Sequence, residues 1–247
     1  MKIEHLHGWD TPYDKAREIQ NDLRTRLILH NKDIPRRIRT IAGADISYAK
    51  ESNTSFAAIV VLDFRTMGLI EQASYSGIAT FPYIPGLLTF REGPVFLEAF
   101  RKLTLSPDII IFDGQGIAHP RGIGLASHMG LFLDTPAIGC GKTKLVGSYD
   151  EPGNEPGDYS PLVHKGEIIG AVLRTKRNVR PVFVSQGHKI ALEKAVEITL
   201  WSCRGYRLPE PTRKAHLAAG EIRLRPDHQT DAHRVPPATV VTTGKTP

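Results

Sequence analysis

Two aspartates stand in this sequence where apolar strands do not ordinarily take them. Asp45 interrupts IAGADISY, and Asp113 closes IIIFDG; acids are disfavoured inside strands and almost never buried without a partner. Side chains alternate along a strand, so Asp45 shares a face with Gly43 and Ser47 and opposes Ala44 and Ile46. Asp113 lies at the carboxyl end of a continuous apolar run, the end at which α/β sheets place their ligand sites. A lone strand-end aspartate more often caps a turn. Two on neighbouring strands, joined by Glu92 at a helix start, would form a carboxylate cluster that repels itself unless a divalent cation is present. All-oxygen ligands suit Mg²⁺ or Mn²⁺.

Other stretches carry chemistry of their own. In FPYIPG (residues 81–86), Tyr83 and Ile84 stand between Pro82 and Pro85, which restrict the backbone and lower the entropy of presenting an apolar tip. Such a loop either tucks its aromatic onto the core or serves as a rigid wedge for a base stack. GCGKT (residues 139–143) resembles the end of a phosphate-cradling loop, but Pro136 stands where that motif requires glycine. Lys142 can still meet a phosphate as a point charge. DGQG lacks the third glycine of a dinucleotide fingerprint.

The surrounding elements must position these groups. Apolar spacing predicts a helix over residues 12–30 with Thr11 as a candidate N-cap. Residues 38–50 and 55–77 read as three meandering strands, the last two joined near Arg65–Gly68. An amphipathic helix is predicted over residues 93–104 and a buried parallel strand over 107–116. A helix near 122–132 and a strand near 136–140 follow. Residues 151–162 read as a Pro-, Gly- and acid-rich loop, residues 166–174 and 181–186 as a strand pair, and 191–203 as a helix. Hairpins first and strand–helix alternation afterwards predict one mixed α/β sheet with helices on both faces.

Composition bounds the partners. The chain has 247 residues, 40% hydrophobic and 23% charged, with a net charge of +6 at pH 7; this is ordinary for a folded domain and excludes collagen-like and wholly disordered classes. No apolar run reaches membrane-spanning length and no secretory leader is evident, so a cytoplasmic location is expected. Cys140 and Cys203 cannot make a disulfide framework, which suits a reducing compartment. Residues 21–40 carry six basic and two acidic residues, and 171–190 five basic and none acidic; they are either solvated faces or phosphate-facing patches. Residues 223–247 read as a flexible basic tail after a domain spanning 1–222.

Taken in order, GADISY (43–48), PYIPGLLTFRE (82–92), FDGQGIAHPRGIGLASHMG (112–130), TPAIGCGKTKL (135–145) and GYRLPEPTRKAH (205–216) make the chain resemble the endonuclease V family, over residues 38–219. The resemblance implies an RNase H-like fold and a Mg²⁺-dependent deoxyinosine 3′ endonuclease of DNA repair, with Mn²⁺ able to substitute. It implies cleavage of the second phosphodiester bond 3′ of the lesion, leaving 3′-hydroxyl and 5′-phosphate ends. It places Asp45, Glu92, Asp113 and His216 at the catalytic positions, the three acids also holding metal. Pro82, Tyr83, Ile84 and Pro85 become the DNA wedge, Gly114, Gly116 and His119 the base pocket, and Lys142 the phosphate contact. GCGKTK departs from the family's commoner run and leaves Lys144 without an assigned role. The expected partner is DNA containing deaminated bases, bound by a monomer. Two alternatives stay open: an RNase H-like nuclease for inosine RNA or branched substrates, and a non-catalytic nucleic-acid-binding module.

Overall fold

The computed structural model describes residues 2–49 and 52–224. Its centre is one eight-stranded mixed sheet in the order β3-β2-β1-β4-β5-β8-β7-β6. Strands β1 (Thr40–Tyr48), β2 (Thr54–Asp63) and β3 (Leu69–Ile78) form the expected antiparallel meander. β4 (Ile109–Phe112) lies parallel to both β1 and β5 (Ala137–Gly141). Beyond them β6 (Tyr159–His164), β7 (Glu167–Leu173) and β8 (Val182–His188) pair antiparallel.

Alternation along the strands divides the interior into two cores. Ile41, Val60, Ile109, Ile111 and Val184 face α4 (Leu192–Trp201) and α5 (Glu210–Leu224), through Ile198, Ala215 and Ala219. Ala42, Ala44, Ile59, Ile110 and Phe112 face α2 (Leu88–Arg101) and α3 (Leu125–Leu133), through Phe96, Phe100, Met129 and Phe132. Helix α1 (Tyr13–Arg24) packs at one end through Ala16 and Leu23, against small clusters built on Phe90 and Ile123. Gly43 is required where it stands, because a Cβ there would overlap the Pro211 carbonyl at the start of α5.

Several boundaries differ from the sequence expectation, each for a physical reason. Helix α1 stops at Arg24 and starts after Pro12, without a side-chain cap from Thr11; proline's fixed φ suits a helix start. Helix α2 begins at Leu88 and carries Pro94 inside it, so Glu92 lies one turn in rather than at the helix start. The end of the 151–162 loop is strand β6, whose Pro161 is tolerated because β6 is an edge strand. Helix α5 was not foreseen as a helix. Two of the residues assigned to the tail, Arg223 and Leu224, complete α5; the rest of the expected tail lies outside the described residues.

Candidate active site

β1 and β4 run parallel with Ala44 opposite Phe112, so the next residues stand side by side, Asp45 still within β1 and paired with Ala58 of β2, Asp113 just past the end of β4. The Asp113 amide donates to the Ala44 carbonyl at 3.1 Å. Asp45 falls on the Gly43 face, as alternation predicts, and that face is covered by α5, whose His216 Nδ1 lies 2.6 Å from Asp45 Oδ2. One ligand atom from each of Asp45, Asp113 and His216 lies within 4.8 Å of the others. Burial and the neighbouring Asp113 charge push the Asp45 carboxyl above its ordinary range.

Glu92 approaches from α2, on the opposite face of the sheet, and stands apart from that three-residue cluster. Complete burial pushes its carboxyl up to about 8, with the Asp45 and Asp113 charges adding to the rise. The Tyr48 hydroxyl donates to Glu92 and opposes the shift. Lys142, just past β5, ion-pairs with Asp113. Crowded carboxylates, two of them raised by burial and by one another's charge, fit a hard divalent cation, which would relieve that repulsion.

Beside this centre lies a cavity of about 330 Å³ whose walls include Tyr83, Ile84, Gly114, His119, Leu125, Lys142 and Leu145. Asp113 also lines it, so cavity and acid cluster are continuous. The 81–86 loop tucks one aromatic onto the core and leaves the other exposed. Phe81 tucks into the core at 7% exposure, while Tyr83 stands 71% exposed at the tip. Leu87 anchors the far side, fully buried with Phe90.

The residues expected to form a base pocket separate in the structure. Gly114 lines the cavity, but its amide donates to the Phe112 carbonyl, so it supplies room rather than a free donor. Gly116 faces β8 instead: its amide donates to Ser185 Oγ at 2.8 Å, and a Cβ there would overlap the Gln186 carbonyl. His119 lines the cavity with both ring nitrogens engaged. Nδ1 accepts from the Arg121 amide, which leaves Nε2–H to donate to the Gly86 carbonyl. Burial holds this ring at about 4, hence neutral. Lys144 lines the same cavity and sits over the Tyr149 ring.

Charge stretches also sort out. In 171–190, Arg174 pairs with Glu151, Arg177 with Glu155, and Lys189 with Asp33 and Asp134. Three of its five basic residues therefore meet carboxylates, and Lys176 and Arg180 remain for an anionic partner.

Sequence reasoning passed over Tyr48, Arg91 and Arg207. Arg91 donates to the Phe81 carbonyl at 2.7 Å and lies over the Tyr48 ring. Arg207 donates to the Lys142 and Pro181 carbonyls and so ties the α4–α5 connection to the Lys142 loop. Only Tyr48 carried a sequence signal, as the aromatic that ends the strand holding Asp45.

A sequence profile of the endonuclease V family matches residues 21–217. The chain belongs to the endonuclease V family. It is 48% identical to the endonuclease V of Dehalococcoides mccartyi strain BAV1 over 222 residues, covering 90% of this chain and 99% of that one. The crystal structure of Streptomyces avermitilis endonuclease V superposes with a TM-score of 0.83 at 39% identity, over 90% of this chain and 97% of that one. Ciona intestinalis endonuclease V, in complex with a 24mer DNA containing an inosine followed by a ribo-adenosine, superposes at 0.76 with 26% identity, over 84% and 96% of the two chains. The sheet order and two-faced helical cover are those of this RNase H-like family, and the family match extends further toward the N-terminus than residue 38, into α1.

Proposed function

We propose that this endonuclease V recognises a deaminated base, deoxyinosine above all, in DNA and hydrolyses the second phosphodiester bond on its 3′ side, leaving 3′-hydroxyl and 5′-phosphate ends. The observation that carries the reading is the continuity of the Asp45–Asp113–His216 cluster with a nucleobase-scale cavity beneath an exposed Tyr83. A weakly paired base costs less to extrude than a normal one, which favours the lesion. Tyr83 would fill the vacated stack, with Pro82, Ile84 and Pro85 keeping it stiff. The close glycine-rich walls would take hypoxanthine while leaving no room for an exocyclic amine.

Asp45, Asp113 and Glu92 would hold Mg²⁺, or Mn²⁺ in its place. When bound, the ion would activate water and stabilise charge on the phosphate and leaving oxygen. Asp45 accepts from Nδ1–H of His216, which leaves Nε2 with its lone pair, able to orient and deprotonate the attacking water. Lys142 would turn from Asp113 to a phosphate oxygen. The protein would act as a monomer with residues 1–222 as its catalytic unit, and the free Cys140 and Cys203 suit the cytoplasm.

Inosine-containing RNA is a second reading, favoured by the ribo-adenosine that follows the inosine in the Ciona complex. The deciding experiment is a cleavage assay on inosine DNA and inosine RNA with EDTA, Mg²⁺ or Mn²⁺. Metal-dependent nicking at the stated bond is expected, lost in EDTA and in Asp45→Asn and Asp113→Asn. Full activity in either variant would remove the metal assignment, and faster cleavage of RNA would replace DNA as the target.

A further inference from the structure

Gln20 is a polar residue on the buried stripe of α1, between Ala16 and Leu23 and only 1% exposed. Its Nε2 donates to the Gly86 carbonyl at 3.0 Å, and its Oε1 accepts from Arg121 Nε at 2.6 Å. Arg121 Nη2 donates to the same Gly86 carbonyl at 2.5 Å, as does His119 Nε2 at 3.0 Å. Three side chains from two segments thus converge on one backbone oxygen at the foot of the Tyr83 loop. Gly86 has φ +80°, and a Cβ there would come within 2.8 Å of Arg121 Nη2, so only glycine fits inside the grip. On the other foot, Arg91 holds the Phe81 carbonyl.

The geometry points to Gln20 as a positioning residue that, through Arg121 and His119, fixes the Tyr83 loop at the angle needed to enter a base stack. This rests on the wedge reading of Tyr83 above. Gln20 is the member that ties the grip together, because its amide orients the guanidinium and binds the carbonyl at once. Gln20 is not among the acid cluster and does not itself line the cavity, whose wall it meets only at the Gly86 carbonyl. Its loss should therefore act on strand opening and leave the hydrolytic step intact.

The test compares the unaltered protein with Gln20→Met, which keeps the volume but makes neither bond, and with Gln20→Glu, which still accepts from Arg121. Hydrogen exchange of the amides in residues 81–87, Pro82 and Pro85 having none, should rise about tenfold in Gln20→Met in the free protein, as expected when the one bond from Gln20 to the loop carbonyl is lost and its second bond, to Arg121, goes with it. Gln20→Glu should fall between. On an inosine duplex, KM should rise about tenfold with kcat within about twofold. On single-stranded inosine DNA, where no stack is opened, KM should hold. Unchanged exchange at 81–87, an equal rise across the whole chain, or the same KM change on both substrates would overturn the proposal. If the unaltered protein fails to cut inosine DNA, the nuclease reading falls, and the exchange result still decides whether Gln20 holds the loop.

Discussion

Tyr48 and Tyr83 show how one residue type serves opposite ends. Tyr83 is exposed and has solvent on its ring, so replacing it leaves no cavity in the core. Tyr83→Ala should weaken inosine-duplex binding about tenfold or more, a loss on the scale of one stacked base, while leaving the melting temperature within a degree or two. Equilibrium binding and a thermal scan check both halves. Tyr48 is half-buried and donates to Glu92. Tyr48→Phe removes that donor and leaves a buried carboxyl unsupported, at a cost of about 1–3 kcal/mol for an unsatisfied buried polar group. The concentration of Mg²⁺ giving half-maximal cleavage should rise in this variant, and an unchanged Mg²⁺ titration would show that Glu92 holds no ion. Asp45 and Asp113 were legible in the sequence because an acid in an apolar strand is conspicuous. Gln20 left a fainter mark, a single polar residue on an apolar helical stripe, and Arg207 left none, since its work is done on backbone carbonyls that any sequence would supply.

At the scale of elements, the β1–β4 register and the α5–β1 contact decide where the acids and the histidine meet. Gly43 permits that contact. Gly43→Ala must push α5 away from β1; overpacking of this kind costs about 1–3 kcal/mol. Its melting temperature should fall, and cleavage should fall further than stability alone accounts for, because His216 rides on α5. A separation of α5 with full activity would free His216 of a catalytic part. The meander, the parallel strands and α3 were readable from periodicity. Helix α5 was not, because Pro209, Pro211 and a run of charges obscure its apolar period, whereas Pro211 in the first turn is harmless to a helix. Strand β6 was hidden in the same way by Pro161, which only an edge strand can hold. Helix α2 was entered late because Gly93 and Pro94 look like punctuation, yet Gly93 makes room for the Trp9 ring.

For the whole molecule, buried histidines lower stability in acid. His119 and His188 are held near 4 by burial, against 6.5 when unfolded. Between those values these two side chains bind more protons in the unfolded chain than in the folded one, so the stability they contribute is full above about pH 6.5 and is lost as pH falls toward 4, while the raised carboxyl of Glu92 works in the opposite sense over the same range. In Glu92→Gln, which removes that opposing carboxyl, urea midpoints should drop from pH 7 to pH 4.5, and a flat profile there would contradict the buried neutral state of the two histidines. The site straddles both cores: Asp45 and Asp113 come from the sheet itself, His216 comes from the layer on one face and Glu92 from the layer on the other. A chain that has closed only one layer has not yet gathered its full set of cutting groups. If all four groups are needed to cut, an enzyme that breaks DNA stays blunt until both layers have docked on the sheet.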